Sequence, residues 1–229
     1  DRLLAIDEYL TLFRAAFPGT VRPRFEDAAR ALAVFQMESF TTTRSPFDRY
    51  LDRDDLALTP QEKRGGLLFF GKARCSSCHN GPFLGGQSFA NVGAPQVGPG
   101  GTKEPPRDLG VGERENNEFY RFAFRVAPLR NVALTAPYFH SGAYPTLEAV
   151  VKHYDNVPMA LREYDPAQLA PELRSYYRGD PATVSAVLAR LDGRLTQPLE
   201  LTATETADLV AFLESLTDPR AHNLGSIVP

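Results

Sequence analysis

The six residues Arg74-Cys75-Ser76-Ser77-Cys78-His79 constrain this chain more than any other feature. They hold the chain's only two cysteines, and a histidine follows the second directly. Four readings compete for this pattern. A structural zinc site needs four ligands, and the three remaining histidines show no paired spacing that would complete one. A redox Cys-x-x-Cys follows a strand in a βαβ pattern, whereas Thr59 to Gly71 reads as a helix with a Thr-Pro start signal. A disulfide, or two buried thiols, explains the cysteines but leaves His79 unexplained. Covalent attachment of a c-type haem uses all three residues. Two thioether bonds fix the porphyrin edge, and the adjoining histidine reaches the iron as proximal ligand. Chance occurrence is rare in a chain with two Cys and four His, so haem attachment is the reading adopted.

Such haem is attached outside the cytoplasm, so a periplasmic or secreted location is expected. The composition agrees. The chain of 229 residues is 43% apolar and 23% charged, enough for an ordinary core. Its net charge of -3 argues against a nucleic-acid binder, which usually carries a basic stripe. No apolar run approaches the roughly 18 residues of a membrane span. The opening Asp1-Arg2-Leu3-Leu4 lacks a basic region before an apolar stretch, so a removed signal peptide or an internal start is expected.

Apolar periodicity predicts helices over Leu3 to Phe17, Phe25 to Phe40, Thr59 to Phe70, Thr146 to Tyr154, Pro181 to Leu191 and Thr202 to Leu216. The second is apolar nearly all round and reads as core. Phe119 to Val126 suits a short strand. Residues 80 to 118 are rich in Gly and Pro, including Gly98-Pro99-Gly100-Gly101 and Pro105-Pro106, and read as one long loop that wraps a ligand. The fold class expected is all-α: one mainly helical c-type haem domain over residues 1–229, with loops around the cofactor.

Haem iron has a sixth position. Met37, Met159, His140, His153, His222 and the tyrosines are all candidates, and composition does not choose among them. Met37 reads as core, Met159 as turn surface and His222 as a solvated tail residue.

Phe124-Arg125-Val126-Ala127-Pro128-Leu129-Arg130-Asn131-Val132 and Thr135-Ala136-Pro137-Tyr138-Phe139-His140-Ser141-Gly142 form one signature. With Ser45-Pro46-Phe47-Asp48, Cys75 to Pro82, Ser88 to Gly93 and Thr146 to Asp155, it resembles the bacterial di-haem cytochrome c peroxidases and the related enzyme MauG. The motifs keep family order over about residues 10 to 222, and they match the second, C-terminal haem half.

The resemblance implies a sixth ligand fourteen residues after His140, which is Tyr154. Ordinary di-haem peroxidases carry Met there, and the MauG group carries Tyr. Met159 stands five residues too late. The resemblance also implies Arg130 as a haem-propionate partner, backbone carbonyls of Thr135 and Pro137 as calcium ligands, and His140 near the electron path between haems. A thioether favours ferrous iron, while a phenolate is hard and anionic and favours the ferric state. A His79/Tyr154 haem therefore suits storage or relay of oxidising equivalents in hydrogen-peroxide-dependent oxidation of a partner protein.

The chain departs from the family in two ways. It has one Cys-x-x-Cys-His where the family has two, so the first haem domain, with the peroxide-binding second haem, is expected elsewhere. It also has no Trp, the residue MauG uses for charge hopping. Two alternatives stay open: the half of a conventional peroxidase fed by a small cytochrome, and a single-haem electron carrier.

Overall fold

The computed structural model describes residues 2–40, 44–86, 88–98 and 107–226, with side chains 39, 40 and 223–226 left aside. The chain forms two compact units, Asp1–Thr43 with Arg220–Pro229, and Arg44–Pro219.

In the first unit, α1 spans Asp7–Ala16 and α2 spans Phe25–Phe40. Helix α1 closes with Phe17 N–H on the Phe13 carbonyl, and the two rings stack at 5.9 Å. The start of α2 is fixed by the Asp27 carboxylate, which accepts the Arg24 N–H at 2.9 Å. The expectation that α2 is core fails. Phe25, Leu32, Val34 and Met37 are all exposed, Met37 by 66%. Within this unit, α1 and a terminal turn offer too little surface to cover a helix on every side.

The second unit holds the remaining elements. Two capping boxes start its first helices: Ser45 with Asp48 for α3 (Pro46–Leu51), and Thr59 with Glu62 for α4 (Pro60–Phe70). Strands β1 (Phe89–Ala90) and β2 (Phe124–Arg125) pair antiparallel, Phe89 opposite Arg125. Helix α5 spans Val111–Arg114 between them. The others are α6 (Leu147–Asp155), α7 (Val157–Arg162), α8 (Pro181–Leu188) and α9 (Ala203–Glu214).

The core of this unit is the α4–α9 contact. Phe69 and Phe212 are fully buried, with ring centroids 5.2 Å apart, and Phe47 meets Phe212 edge-on at 5.3 Å. Gly65 makes the approach possible, since a Cβ there would lie 1.9 Å from the Asp208 carbonyl oxygen. Arg64 closes the same seam with a forked pair to Asp208 at 2.7 and 2.9 Å.

The described residues are mostly helical, with one two-stranded sheet added to the all-α expectation. The 80–118 stretch is less plain than a structureless loop, because it carries β1 and α5 and runs into a 3-10 turn at Glu118–Tyr120. Residues 99–106, which include its Gly100-Gly101 and Pro105-Pro106 pairs, lie outside the described residues. The predicted strand shortens to Phe124–Arg125, because Phe122 takes a left-handed φ of 62°. No helix among the described residues is long and apolar enough to cross a membrane.

Candidate haem site

Helix α4 delivers the cysteine motif. It ends at Gly71, and the chain reverses through Arg74, whose φ of 55° is left-handed. A 3-10 turn over Cys75–Ser77 follows, and the N–H groups of Cys78 and His79 both donate to the Cys75 carbonyl, at 3.1 and 2.9 Å. This one turn brings both thiols and the imidazole together. The cysteines are free thiols and half-buried, not a disulfide. Burial pushes the Cys75 thiol up to about 12; its own backbone hydrogen bond opposes this and Cys78 adds to it.

His79 is oriented for a ligand. Its Nδ1 lies 3.1 Å from the Leu84 carbonyl. A carbonyl only accepts, so Nδ1 carries the proton and Nε2 keeps its lone pair. Burial lowers the pKa of His79 against the opposing pull of the Leu84 and Ala127 carbonyls, which favours the neutral imidazole. A neutral ring with one nitrogen held by a backbone carbonyl is the usual state of a metal-ligating histidine.

Tyr154 sits near the C-terminus of α6, whose first turn is capped by Thr146 onto the Ala149 N–H. Its ring meets Phe139 at 5.8 Å and His153 at 5.5 Å, both nearly edge-on. Its phenol is pushed up by burial first, then by the charges of Cys75, Cys78 and Tyr144. Tyr154 therefore lies within electrostatic reach of both motif cysteines. Neighbouring tyrosines spend their hydroxyls: Tyr144 on His153 Nδ1 at 2.8 Å, and Tyr164 on the Ala143 carbonyl at 2.5 Å. Among the described residues the Tyr154 hydroxyl has no hydrogen-bond partner.

The other sixth-ligand candidates differ from Tyr154 in exposure or in hydrogen bonding. His153 is buried with both ring nitrogens engaged, Nδ1 by Tyr144 and Nε2 by the Val92 carbonyl. Met159 is 50% exposed on α7, and Met37 is exposed on α2 rather than in a core. His222 is exposed, as expected. His140 stacks on Phe124 at 3.5 Å and faces Asp108 at 3.8 Å; burial lowers its pKa and Asp108 opposes this.

Arg130 donates from Nη1 to Asp48 at 2.6 Å and from Nε to the Pro82 carbonyl at 2.7 Å. Thr135 and Pro137 lie on an exposed stretch with a cis bond at Ala136-Pro137. Calcium takes six to eight oxygens. Two carbonyls fall short of that, and no cluster of three His, Cys, Asp or Glu side chains fit for a metal exists among the described residues. The chain's own groups thus fit a haem and do not by themselves complete a calcium site.

A cavity of about 380 Å³ lined by Phe47, Phe70, Ser76 and Leu84 opens beside the motif, and one of about 400 Å³ is lined by Tyr144, His153 and Tyr164. His79 and Tyr154 line neither, so the donor set rather than an enclosed pocket marks the site. Leu84 and Asp48 escaped sequence reasoning as site residues. Leu84 acts through its backbone, which leaves no side-chain signal. Asp48 enters the sequence reading only as part of the segment Ser45-Pro46-Phe47-Asp48 that carries the family resemblance, with no role attached; its capping-box place after Ser45 was the signal at hand.

Comparison with known proteins follows the same line. The family model described as di-haem cytochrome c peroxidase matches residues 1–56. Cytochrome c551 peroxidase of Pseudomonas aeruginosa is 38% identical over 206 residues, covering 88% of this chain and 55% of that protein. Methylamine utilization protein MauG of Methylorubrum extorquens is 30% identical over 227 residues, covering 98% of this chain and 54% of that protein. The crystal structure of a MauG-like protein associated with microbial copper homeostasis matches with a TM-score of 0.69 and 30% identity, over 96% of this chain and 61% of that one. The chain spans a little over half the length of the curated relatives it matches. With the cysteine motif and the oriented His79 in place, these matches put the chain in the family of di-haem cytochrome c peroxidases and MauG.

Proposed function

We propose that this chain is the C-terminal haem half of a MauG-like enzyme, in which His79 and Tyr154 ligate one covalent haem. In this reading the enzyme is periplasmic and uses hydrogen peroxide to oxidise a partner protein. A first haem domain outside these residues supplies the peroxide-reactive centre, because one Cys-x-x-Cys-His holds one haem.

The observation that carries the reading is the Tyr154 hydroxyl. It has no hydrogen-bond partner among the described residues and lies within electrostatic reach of Cys75 and Cys78. When bound, the haem supplies a one-electron centre whose potential the axial ligands set. The chain's residues do the rest. Cys75 and Cys78 would anchor the porphyrin, and the Leu84 carbonyl keeps the His79 Nε2 lone pair available. Burial first, then the neighbouring cysteines, hold the Tyr154 phenol protonated in the free chain. With both cysteines tied up as thioethers, Tyr154 would offer a phenolate oxygen, the form that ferric iron favours. Phe139 and His153 flank the ring and fix its plane.

The test is the absorption spectrum and midpoint potential of the ferric holo-protein. A phenolate-type spectrum and low potential are expected, both lost in Tyr154→Phe. The charge-transfer band of a thioether-ligated ferric haem would reject the reading.

The higher identity to cytochrome c551 peroxidase supports a second reading, a conventional peroxidase half that passes electrons to the peroxide haem. That reading calls for a thioether ligand, whereas position 154 holds Tyr and Met159 is exposed on α7, so the same spectrum separates the two.

A further inference from the structure

We propose that Arg130 is a positioning residue for the axial histidine: paired with Asp48, it clamps the 80–86 loop so that the Leu84 carbonyl stays on His79 Nδ1. The inference rests on His79 being the iron ligand and goes beyond that assignment.

The loop does not hold its own shape. Gly81, Leu84, Gly85 and Gly86 all take positive φ, at 70°, 53°, 137° and 90°. For Leu84 this is a strained conformation that surrounding contacts must enforce. Two short-range bonds close the loop on itself, Leu84 N–H to the Gly81 carbonyl and Gly85 N–H to the Asn80 carbonyl. The outside support comes from residues 125–130. Gly86 N–H donates to the Val126 carbonyl at 2.5 Å, Leu129 N–H to the Phe83 carbonyl at 3.3 Å, Arg125 Nε to the Gly86 carbonyl at 3.4 Å, and Arg130 Nε to the Pro82 carbonyl at 2.7 Å. The last two have charged donors, the stronger class, and the Arg130 bond is the shorter of them.

Arg130 is itself immobilised. Its Nη1 meets Asp48 Oδ1 at 2.6 Å, with the two side chains only 17% and 10% exposed. The other Asp48 oxygen accepts the Ser45 N–H and O–H, at 3.1 and 2.7 Å. Phe47 N–H donates to the Ser215 carbonyl, and the Phe47 ring packs on Phe212. A fixed path therefore runs from the α4–α9 core through Asp48 and Arg130 to Pro82, two residues before the carbonyl that holds His79.

The consequence is electronic as well as structural. A carbonyl on Nδ1–H makes the imidazole a better donor to iron, which favours ferric iron. When the loop is released that bond weakens, and the potential rises.

The test uses the holo-protein and two variants, Arg130→Gln and Asp48→Asn, with Thr202→Ala, which removes the α9 cap and touches neither Asp48 nor Arg130, as control. Two readouts separate positioning from bulk stability: the exchange rate of the His79 Nδ1 proton by NMR, and the midpoint potential. In both variants exchange should quicken about tenfold, and the potential should rise by about 59 mV, a tenfold change in the ferric-to-ferrous ratio. Thr202→Ala should lower stability and leave both readouts in place. Should Arg130→Gln not fold, Asp48→Asn decides alone. Lower stability with unchanged exchange and potential would overturn the clamp, as would an equal shift in Thr202→Ala. Wild-type protein without covalent haem would overturn the haem assignment as well, whereas haem-bearing protein with unshifted variants overturns the clamp alone.

Discussion

Tyr144 donates its hydroxyl to Nδ1 of His153 at 2.8 Å, while Nε2–H of the same ring donates to the Val92 carbonyl at 2.8 Å. Both nitrogens are thereby spent, and a buried imidazole in this state is neutral. Burial lowers His153 to about 4, with the Val92 carbonyl opposing. The pair ties α6 to residue 144 on one side and to the 91–93 turn on the other, next to Tyr154.

This arrangement predicts a pH effect on stability. The folded pKa lies below the unfolded value of about 6.5. The unfolded chain therefore binds more protons between the two values, and stability falls as pH drops from about 6.5 to about 4. The loss is up to about 3 kcal/mol for this group, from about 1.4 kcal/mol per pH unit. Denaturation of the holo-protein across this window should show the slope, and His153→Gln should flatten it. A slope unchanged in that variant would assign the effect elsewhere.

The α4–α9 contact predicts a different failure. Gly65→Ala puts a Cβ 1.9 Å from the Asp208 carbonyl oxygen and 2.7 Å from Phe212 Cβ. Backbone cannot yield as a flexible side chain does, so the helices must part. Overpacking of this kind costs about 1–3 kcal/mol or more, read as a lower denaturant midpoint. Gly66→Ala, whose Cβ would be 3.3 Å from the Phe212 ring, is expected to be milder.

Sequence patterns carried the helices well where caps and periodicity agreed. Thr59-Pro60 marks the start of α4 and apolar spacing over Thr202 to Leu216 marks α9; the structure adds a capping box at each start, with Glu62 and Glu205. Periodicity misjudged α2, since an apolar circumference says nothing about whether neighbours exist to cover it. Helices α3, α5 and α7 went unnoticed because each has six residues or fewer, too short for a period to show. The cysteine motif was legible since all its residues are adjacent. The Leu84 carbonyl on His79 and the Asp48–Arg130 pair were not, the first being backbone and the second spanning 82 residues.

Tyr154 offers a prediction in potential. Tyr154→Met replaces a hard anion with a soft neutral thioether, so the ferrous form gains and the midpoint potential rises. The shift should be a substantial part of the roughly 0.8 V that axial ligands span. Potentiometric titration of the holo-protein checks it, and an unmoved potential would remove Tyr154 from the iron.

Gly85 tests the other axial side. Its φ of 137° disfavours any side chain, and an added Cβ would lie 2.4 Å from the Ala127 carbonyl oxygen and 3.1 Å from His79 Nδ1. Gly85→Ala must therefore displace either the 126–130 backbone or the imidazole. The expected result is a loss of about 1–3 kcal/mol in stability, together with a rise in potential as Nδ1 leaves the Leu84 carbonyl. Denaturant titration and potentiometry on one holo-protein preparation measure both. A stability loss without a shift in potential would mean that the loop yields and His79 keeps its carbonyl, which would remove the close packing of Gly85 as a determinant of the axial geometry.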